Sequence, residues 1–236
     1  MSLRESILLL KQAKQFLDQI ESSYPVYLTQ REASEELQIQ IKDFLDKVNP
    51  ALDFAAYHIF NTYCIPHVKG DLGRAEAKVY FPLRDTNKAF DHYIKNIYPG
   101  LLEQRPDIVD VLRKYQPFPT RPKWLFHLRE LAKHNKHRNL TKQSFRQSTH
   151  IDNLTFPGGG GIRGITIVNS NDVSAVSYYG QSIDFQNPNN IPDYFNYSGS
   201  VDYDFVFIDI NQPVLNTLKR IYRSAPTVIY DLEKIL

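Results

Sequence analysis

Apolar residues recur at helical spacing over the first half of the chain. Leu3, Ile7, Leu10, Phe16, Leu17 and Ile20 fall on one face, which predicts an amphipathic helix over residues 3–22 that Ser22-Ser23 and Pro25 terminate. A second helical run begins near Gln30 and passes through Leu37, Ile41, Phe44, Leu45 and Val48, with Glu32, Glu35 and Glu36 in its first turns, where the helix dipole favours acids. Asn49-Pro50 interrupts it, an Asn cap before a first-turn Pro being a restart signal, and Leu52, Ala55, Ala56, Ile59 and Tyr63 carry the apolar face onward. The pattern predicts one long kinked helix, or two nearly collinear ones, across residues 30–64. Residues 65–84 are irregular apart from the short apolar run Val79-Tyr80-Phe81, which ends at Pro82. Asp85 caps a predicted helix to about Tyr98, stopped by Pro99-Gly100, and Pro106 opens another with Ile108, Val109, Leu112 and Tyr115 inward. Gln116 to Pro119 is an extended connector, and Pro122 starts a central helix.

After His150 the period changes. Gly158 to Gly161, and then Gly164, flank Ile162–Val168, a β-branched run that reads as a strand, as do Val173–Tyr179 and Tyr203–Ile210. The glycine run lacks the Gly-Lys-Ser/Thr ending of a phosphate loop and reads as a flexible loop before a strand. The 186–192 stretch is loop chemistry. A final helix follows, with Asn211 as its cap, Pro226 as a kink, and a stripe of Val214, Leu218, Ile221, Val228, Ile229, Leu232 and Ile235 that has to be buried against other helices, the first two being the expected partners. The expected fold is α+β, mostly a helical bundle with a small antiparallel sheet inserted before the C-terminal helix. It is read as one domain: residues 1–150 the bundle core, 151–210 the strand-rich insertion, 211–236 the returning helix.

Composition narrows the classes. A chain of 236 residues, 42% hydrophobic, can bury a sizeable core. The lone Cys64 excludes an intramolecular disulfide and a cysteine-based zinc site. The N-terminal apolar run, Ile7 to Leu10, is too short for a signal-peptide core or a membrane span, so a soluble, cytoplasmic protein is expected, without a membrane partner. The net charge of +2 conceals a basic block between Arg121 and His150, where eight lysines and arginines face one acid, Glu130.

The central helix carries that block, the single tryptophan and several histidines. On a helical wheel Trp124, Leu128, Leu131 and Asn135 share the apolar face, which makes Asn135 a buried amide in need of partners. His127, Glu130, His134 and Arg138 form a polar stripe beside it, while Arg129, Lys133 and Lys136 are expected to point outward. Metal-free RNA cleavage needs a base for the ribose 2′-hydroxyl and a cation for the phosphate, which His134 with Arg138 or Arg129 can supply, His127, Glu130 and Asn135 orienting the site. Nucleic-acid binding alone would use Lys123, Lys133, Lys136, Lys142 and Arg146, with Trp124, Phe126 or Phe145 to stack on bases. His127, Glu130 and His134 also have metal-ligand spacing, but no second ligand cluster matches them, so neither a metal nor any other cofactor is expected. The same residues are equally compatible with a structural polar cluster in an interaction or scaffold protein.

Four short motifs carry a resemblance. Ala51-Leu52-Asp53, Phe81-Pro82-Leu83, Tyr115-Gln116-Pro117-Phe118 and Leu128 with Asn135-Lys136-His137-Arg138 resemble, in that order, the motifs of a family of uncharacterised bacterial proteins with an N-x-KHR helix. That resemblance implies the order of elements and no activity. Arg129-Glu130-Leu131-Ala132-Lys133-His134 is similar to the Arg-polar-spacer-His motif of HEPN ribonucleases, although Glu130 stands where those enzymes have Asn, Asp or His. This second resemblance implies a helical bundle, a homodimer, and metal-independent endoribonuclease chemistry or RNA binding.

Overall fold

The computed structural model describes residues 3–137, 140–169, 176–185 and 190–236, the side chains of residues 134–137, 169, 176, 181 and 182 excepted. Its first helix, α1 (Arg4–Gln30), runs on through Ser22, Ser23 and Pro25. The two serine hydroxyls donate to the carbonyls of Asp18 and Gln19 at 2.9 Å, which satisfies them inside the helix. Buried Tyr24 and Tyr27 prolong the apolar face beyond the predicted end. The helix closes at Arg31, whose φ of 55° is left-handed.

The second helix, α2 (Glu35–Ile59), begins at its cap. Ser34 Oγ accepts the Leu37 N–H at 3.1 Å, and Glu35 and Glu36 occupy the first turn. Ser34→Ala is expected to cost about 1 kcal/mol of unfolding free energy, measured by urea titration. The helix passes through Pro50 without restarting; Asn49 is a buried interior residue that gives its amide to Asp53 Oδ2 at 3.3 Å. A π-helical turn, Phe60–Cys64, and a 3-10 turn, Ile65–His67, complete it. Burial pushes the Cys64 thiol up to about 12, so this cysteine is a core residue in its protonated form.

Short α3 (Leu72–Glu76) leads into the 79–84 segment, which belongs to no helix or strand. Thr86, one residue beyond the expected Asp85, caps α4 (Asn87–Ile97) through its hydroxyl oxygen, which accepts the Ala89 N–H at 3.2 Å. Gly100, with φ of 78°, joins α4 to α5 (Leu101–Gln104); a Cβ there would lie 2.6 Å from the His67 ring. Next come α6 (Pro106–Lys114) and α7 (Trp124–His137), and the chain ends in α8 (Val214–Glu233), continuous across Pro226. Asn211 stands before α8 in a left-handed turn, and Pro213 holds the cap position expected for it. The apolar stripe of α8 is buried against α2, α6 and α7, and Lys219 reaches Glu21 of α1 at 3.5 Å. Among the described residues no helix is long and apolar enough to cross a membrane.

The strands lie in sequence between α7 and α8: β1 (Gln143–Thr155), β2 (Gly161–Asn169), β3 (Val176–Tyr178), β4 (Gln181–Ile183), β5 (Asn196–Phe207) and β6 (Gln212–Pro213). The larger sheet has the order β2-β1-β5-β6, with β1 and β2 antiparallel in the register His150↔Thr166, and β3 and β4 form a separate antiparallel pair. The chain is thus α+β, a helical bundle with a small antiparallel sheet. β1 starts within the basic block, where Phe145, Gln147, Thr149 and Ile151 already alternate.

Two compact units result. The described residues within 1–25, 34–142 and 207–236 form the helical unit, and those within 26–33 and 143–206 form the strand unit. The latter has its own core of Ile151, Leu154, Ile183, Phe185, Ile191 and Phe195. Everything bearing on the site below belongs to the helical unit.

Candidate nucleic-acid interface

A segment that joins no helix or sheet must satisfy its backbone groups elsewhere, and side chains do so for residues 80–84. Asp53, from the middle of α2, accepts the Phe81 N–H at 2.9 Å. Arg129 of α7 donates to the Phe81 carbonyl at 3.0 Å and spans both Asp53 oxygens, at 2.6 and 3.3 Å. Tyr93 and Tyr98 of α4 donate their hydroxyls to the Tyr80 carbonyl at 3.1 and 2.9 Å. Gln116, fully buried, donates its amide to the carbonyls of Pro82 and Leu112 at 3.0 and 2.9 Å and accepts the Arg84 N–H at 2.9 Å. The Arg84 guanidinium then lies 4.0 Å over the Tyr93 ring. Segments bearing Leu52-Asp53, Phe81-Pro82, Gln116 and α7 therefore meet at one clasp around one loop.

Arg129 is the residue whose placement departs most from the wheel. Leu125, Leu128, Leu131 and Ala132 are all buried with Trp124, so the apolar face of α7 is broader than the Trp124–Leu128–Leu131 line. Arg129, four residues after Leu125 and three before Ala132, is carried inward on that broader face, and its side chain is only 17% exposed. Its guanidinium is engaged by Asp53 and Phe81 rather than turned to solvent.

The clasp fixes the walls of a groove of about 450 Å³ lined by Asp85, Thr86, Pro117, Pro119, Lys123 and Phe126. Asp85 and Thr86 follow directly on Arg84, and Pro117 directly on Gln116, so the side chain of Gln116 ties two of the walls together. The third wall is the start of α7, where Lys123 and Phe126, three residues apart, share a side. Both are exposed, Phe126 to 43%. An exposed aromatic ring, an exposed cation and a carboxylate around a proline-walled groove can stack a planar ring, meet a phosphate and accept a hydroxyl.

His127 is half-buried, its ring edge-on to Phe126 at 6.1 Å. Burial, with Lys123 and Arg220 nearby, lowers its pKa below the ordinary 6.5, so it is a neutral imidazole at pH 7. The linkage sign follows from that direction. Between the folded pKa and 6.5 the unfolded chain holds more protons, so stability is complete above 6.5 and declines as pH falls through that window. His58, lowered chiefly by burial, acts in the same direction. The urea midpoint is expected to be lower at pH 5.5 than at pH 7.5, and His127→Gln to narrow the gap; an unchanged gap would contradict this assignment.

The remaining predicted residues are dispersed. Lys133 is exposed on α7, and Glu130 is half-buried there. Lys142 is exposed in the loop after α7, its carbonyl accepting the Ile208 N–H at 3.1 Å, and Arg146 is half-buried on β1 in the strand unit. The basic block is thus divided between a helix, a loop and a strand. The side chains of His134, Asn135 and Lys136, and the whole of Arg138, lie outside the described residues. Among the described residues no three His, Cys, Asp or Glu side chains come together as a metal site would require. Compared with protein-family models, curated proteins and solved structures, the chain matches none.

Proposed function

We propose that the protein binds single-stranded RNA, with the groove at the start of α7 as the contact site and without cleaving the strand. Phe126 stacks on a base, Lys123 meets the adjoining phosphate, and Asp85 accepts a ribose 2′-hydroxyl, the contact that distinguishes RNA from DNA. Thr86 accepts the Ala89 N–H but keeps its own proton to donate. The observation that carries this reading is the division of labour along α7. Arg129 is withdrawn into the clasp with Asp53, while Lys123 and Phe126 stand free at a groove whose walls the clasp holds. Arg129 thereby serves the fold, and the structural-cluster reading applies to it.

Fluorescence anisotropy with a short labelled single-stranded RNA tests this. Phe126→Ala is expected to weaken binding by about 1–3 kcal/mol, the usual worth of one stacked base. Lys123→Ala is expected to lower affinity and reduce the salt slope by about 0.7. A DNA oligonucleotide of the same sequence should bind more weakly, and Asp85→Ala should remove the difference. Absence of RNA binding by the wild type overturns the proposal. Cleavage of mixed RNA that disappears in His134→Ala would replace binding with catalysis.

A further inference from the structure

A cleft of about 570 Å³ lies at the other end of α4. Lys69, Lys78 and Lys95 line it together with Arg74, Asp71 and His67. The three lysines come from separate elements: the loop after the 3-10 turn, the loop after α3, and the last turn of α4. Lys14, Lys42, Lys114 and Lys219 are among the lysines that meet an acid. Among the described residues Lys69, Lys78 and Lys95 have no such partner, and the one acid of the cleft, Asp71, caps α3 and pairs with Arg74 at 3.6 Å. Glu76, the nearest other carboxylate in sequence, is taken by the Tyr57 hydroxyl at 3.2 Å. Converging unpaired cations repel one another, and an anion with several charges relieves that repulsion.

The cleft is also fixed in shape. The His67 ring is seated against Gly100, where only a glycine leaves room, and its Nε2 contacts the Gln104 amide. That contact holds the chain entering Lys69 against the Pro99-Gly100 turn. Val68, Ile97 and Pro99 add apolar wall beside the cations. The volume falls within the range of small-ligand sites, and apolar wall with clustered cations suits an organic body bearing clustered phosphates.

From this arrangement we infer that the cleft binds a nucleoside polyphosphate, its phosphates among Lys69, Lys78 and Lys95 and its base or sugar against Val68, Ile97 and Pro99. The site is separate from the RNA groove and does not depend on that reading. Isothermal titration of the full chain with ATP, tripolyphosphate and adenosine tests it. ATP is expected to bind, tripolyphosphate to compete with it more weakly, and adenosine not to bind measurably. Lys78→Glu, and the double variant Lys69→Ala with Lys95→Ala, should each weaken ATP by roughly tenfold or more, as loss of charge-assisted bonds does. Lys11→Glu, on the exposed side of α1, should leave affinity unchanged. These positions are exposed, and an unchanged melting temperature for each variant confirms that the fold is intact. Absence of heat with both ATP and tripolyphosphate, or ATP affinity that survives Lys78→Glu, overturns the inference. Equal affinity for ATP and tripolyphosphate overturns the nucleoside part. Lysine variants that weaken RNA while neither polyphosphate binds would assign the cleft to the RNA path and overturn the small-ligand site.

Discussion

Asp53→Ala is expected to lower the unfolding free energy by about 3 kcal/mol, the lower end of the loss from removing one partner of a buried ion pair, because this pair is only partly buried. The carboxylate is 17% exposed, accepts from two nitrogens of Arg129, holds the Phe81 N–H and takes the Asn49 amide. Its removal strands a guanidinium of the same low exposure whose Nε already lacks a partner among the described residues. Arg129→Ala should cost a similar amount, and the double variant far less than the sum, because each single change leaves the other charge uncompensated. Urea unfolding of the four proteins closes the cycle. A coupling below about 0.5 kcal/mol would show that the pair does not hold the loop.

Gln116→Leu is expected to cost about the same, roughly 3 kcal/mol, by a different route. No charge is lost. The change leaves the Arg84 N–H and the Pro82 carbonyl without the partner that Gln116 gives them, at a position with no solvent access. An unmet buried backbone group costs about 1–3 kcal/mol. Gln116→Glu discriminates the mechanism: it keeps the acceptor for Arg84 but sets a carboxylate oxygen against the carbonyls of Pro82 and Leu112. Gln116→Leu should also speed hydrogen exchange at the Arg84 amide, and Gln116→Glu, which keeps that acceptor, should speed it less. A loss under about 1 kcal/mol with Arg84 still protected would mean that the loop is held without Gln116.

The elements were legible where apolar periodicity is long. The inward faces of α2, α6 and α8 are those the spacing picks out, since Ile41, Phe44, Ile108, Leu112, Leu218 and Ile221 are all buried. Element ends were less legible because they depend on satisfied polar groups. Ser22 and Ser23 read as terminators, yet they bond back into the helix they were expected to end. Asn49 read as a cap, yet it is held by Asp53 one turn on, while Pro50 forgoes one backbone bond inside a continuous helix. β1 was hidden because its alternation begins inside a basic stretch that reads as a continuation of α7.

The clasp was visible only as fragments. Spacing within a motif cannot reveal that Asp53 and Gln116 grip the same loop. Arg129 was assigned outward because charge on a wheel reads as surface. Its partner Asp53 lies 76 positions away, where a local pattern has no access to it. Phe126 and Lys123 were legible as an aromatic ring and a cation, and what the sequence left out was the groove between them and the residues after Gln116 and Arg84.

The proposed division of α7 into a residue that holds the fold and residues that would hold RNA meets its most direct test in the RNA affinity of Arg129→Lys, measured at a temperature where the variant remains folded. Lysine keeps the charge but cannot span both Asp53 oxygens and the Phe81 carbonyl, so the urea midpoint should fall. RNA affinity should stay within about threefold of wild type, whereas loss of a phosphate-binding arginine costs roughly tenfold or more. A variant as stable as wild type but tenfold weaker for RNA would contradict the account, placing Arg129 on the phosphate instead of in the clasp.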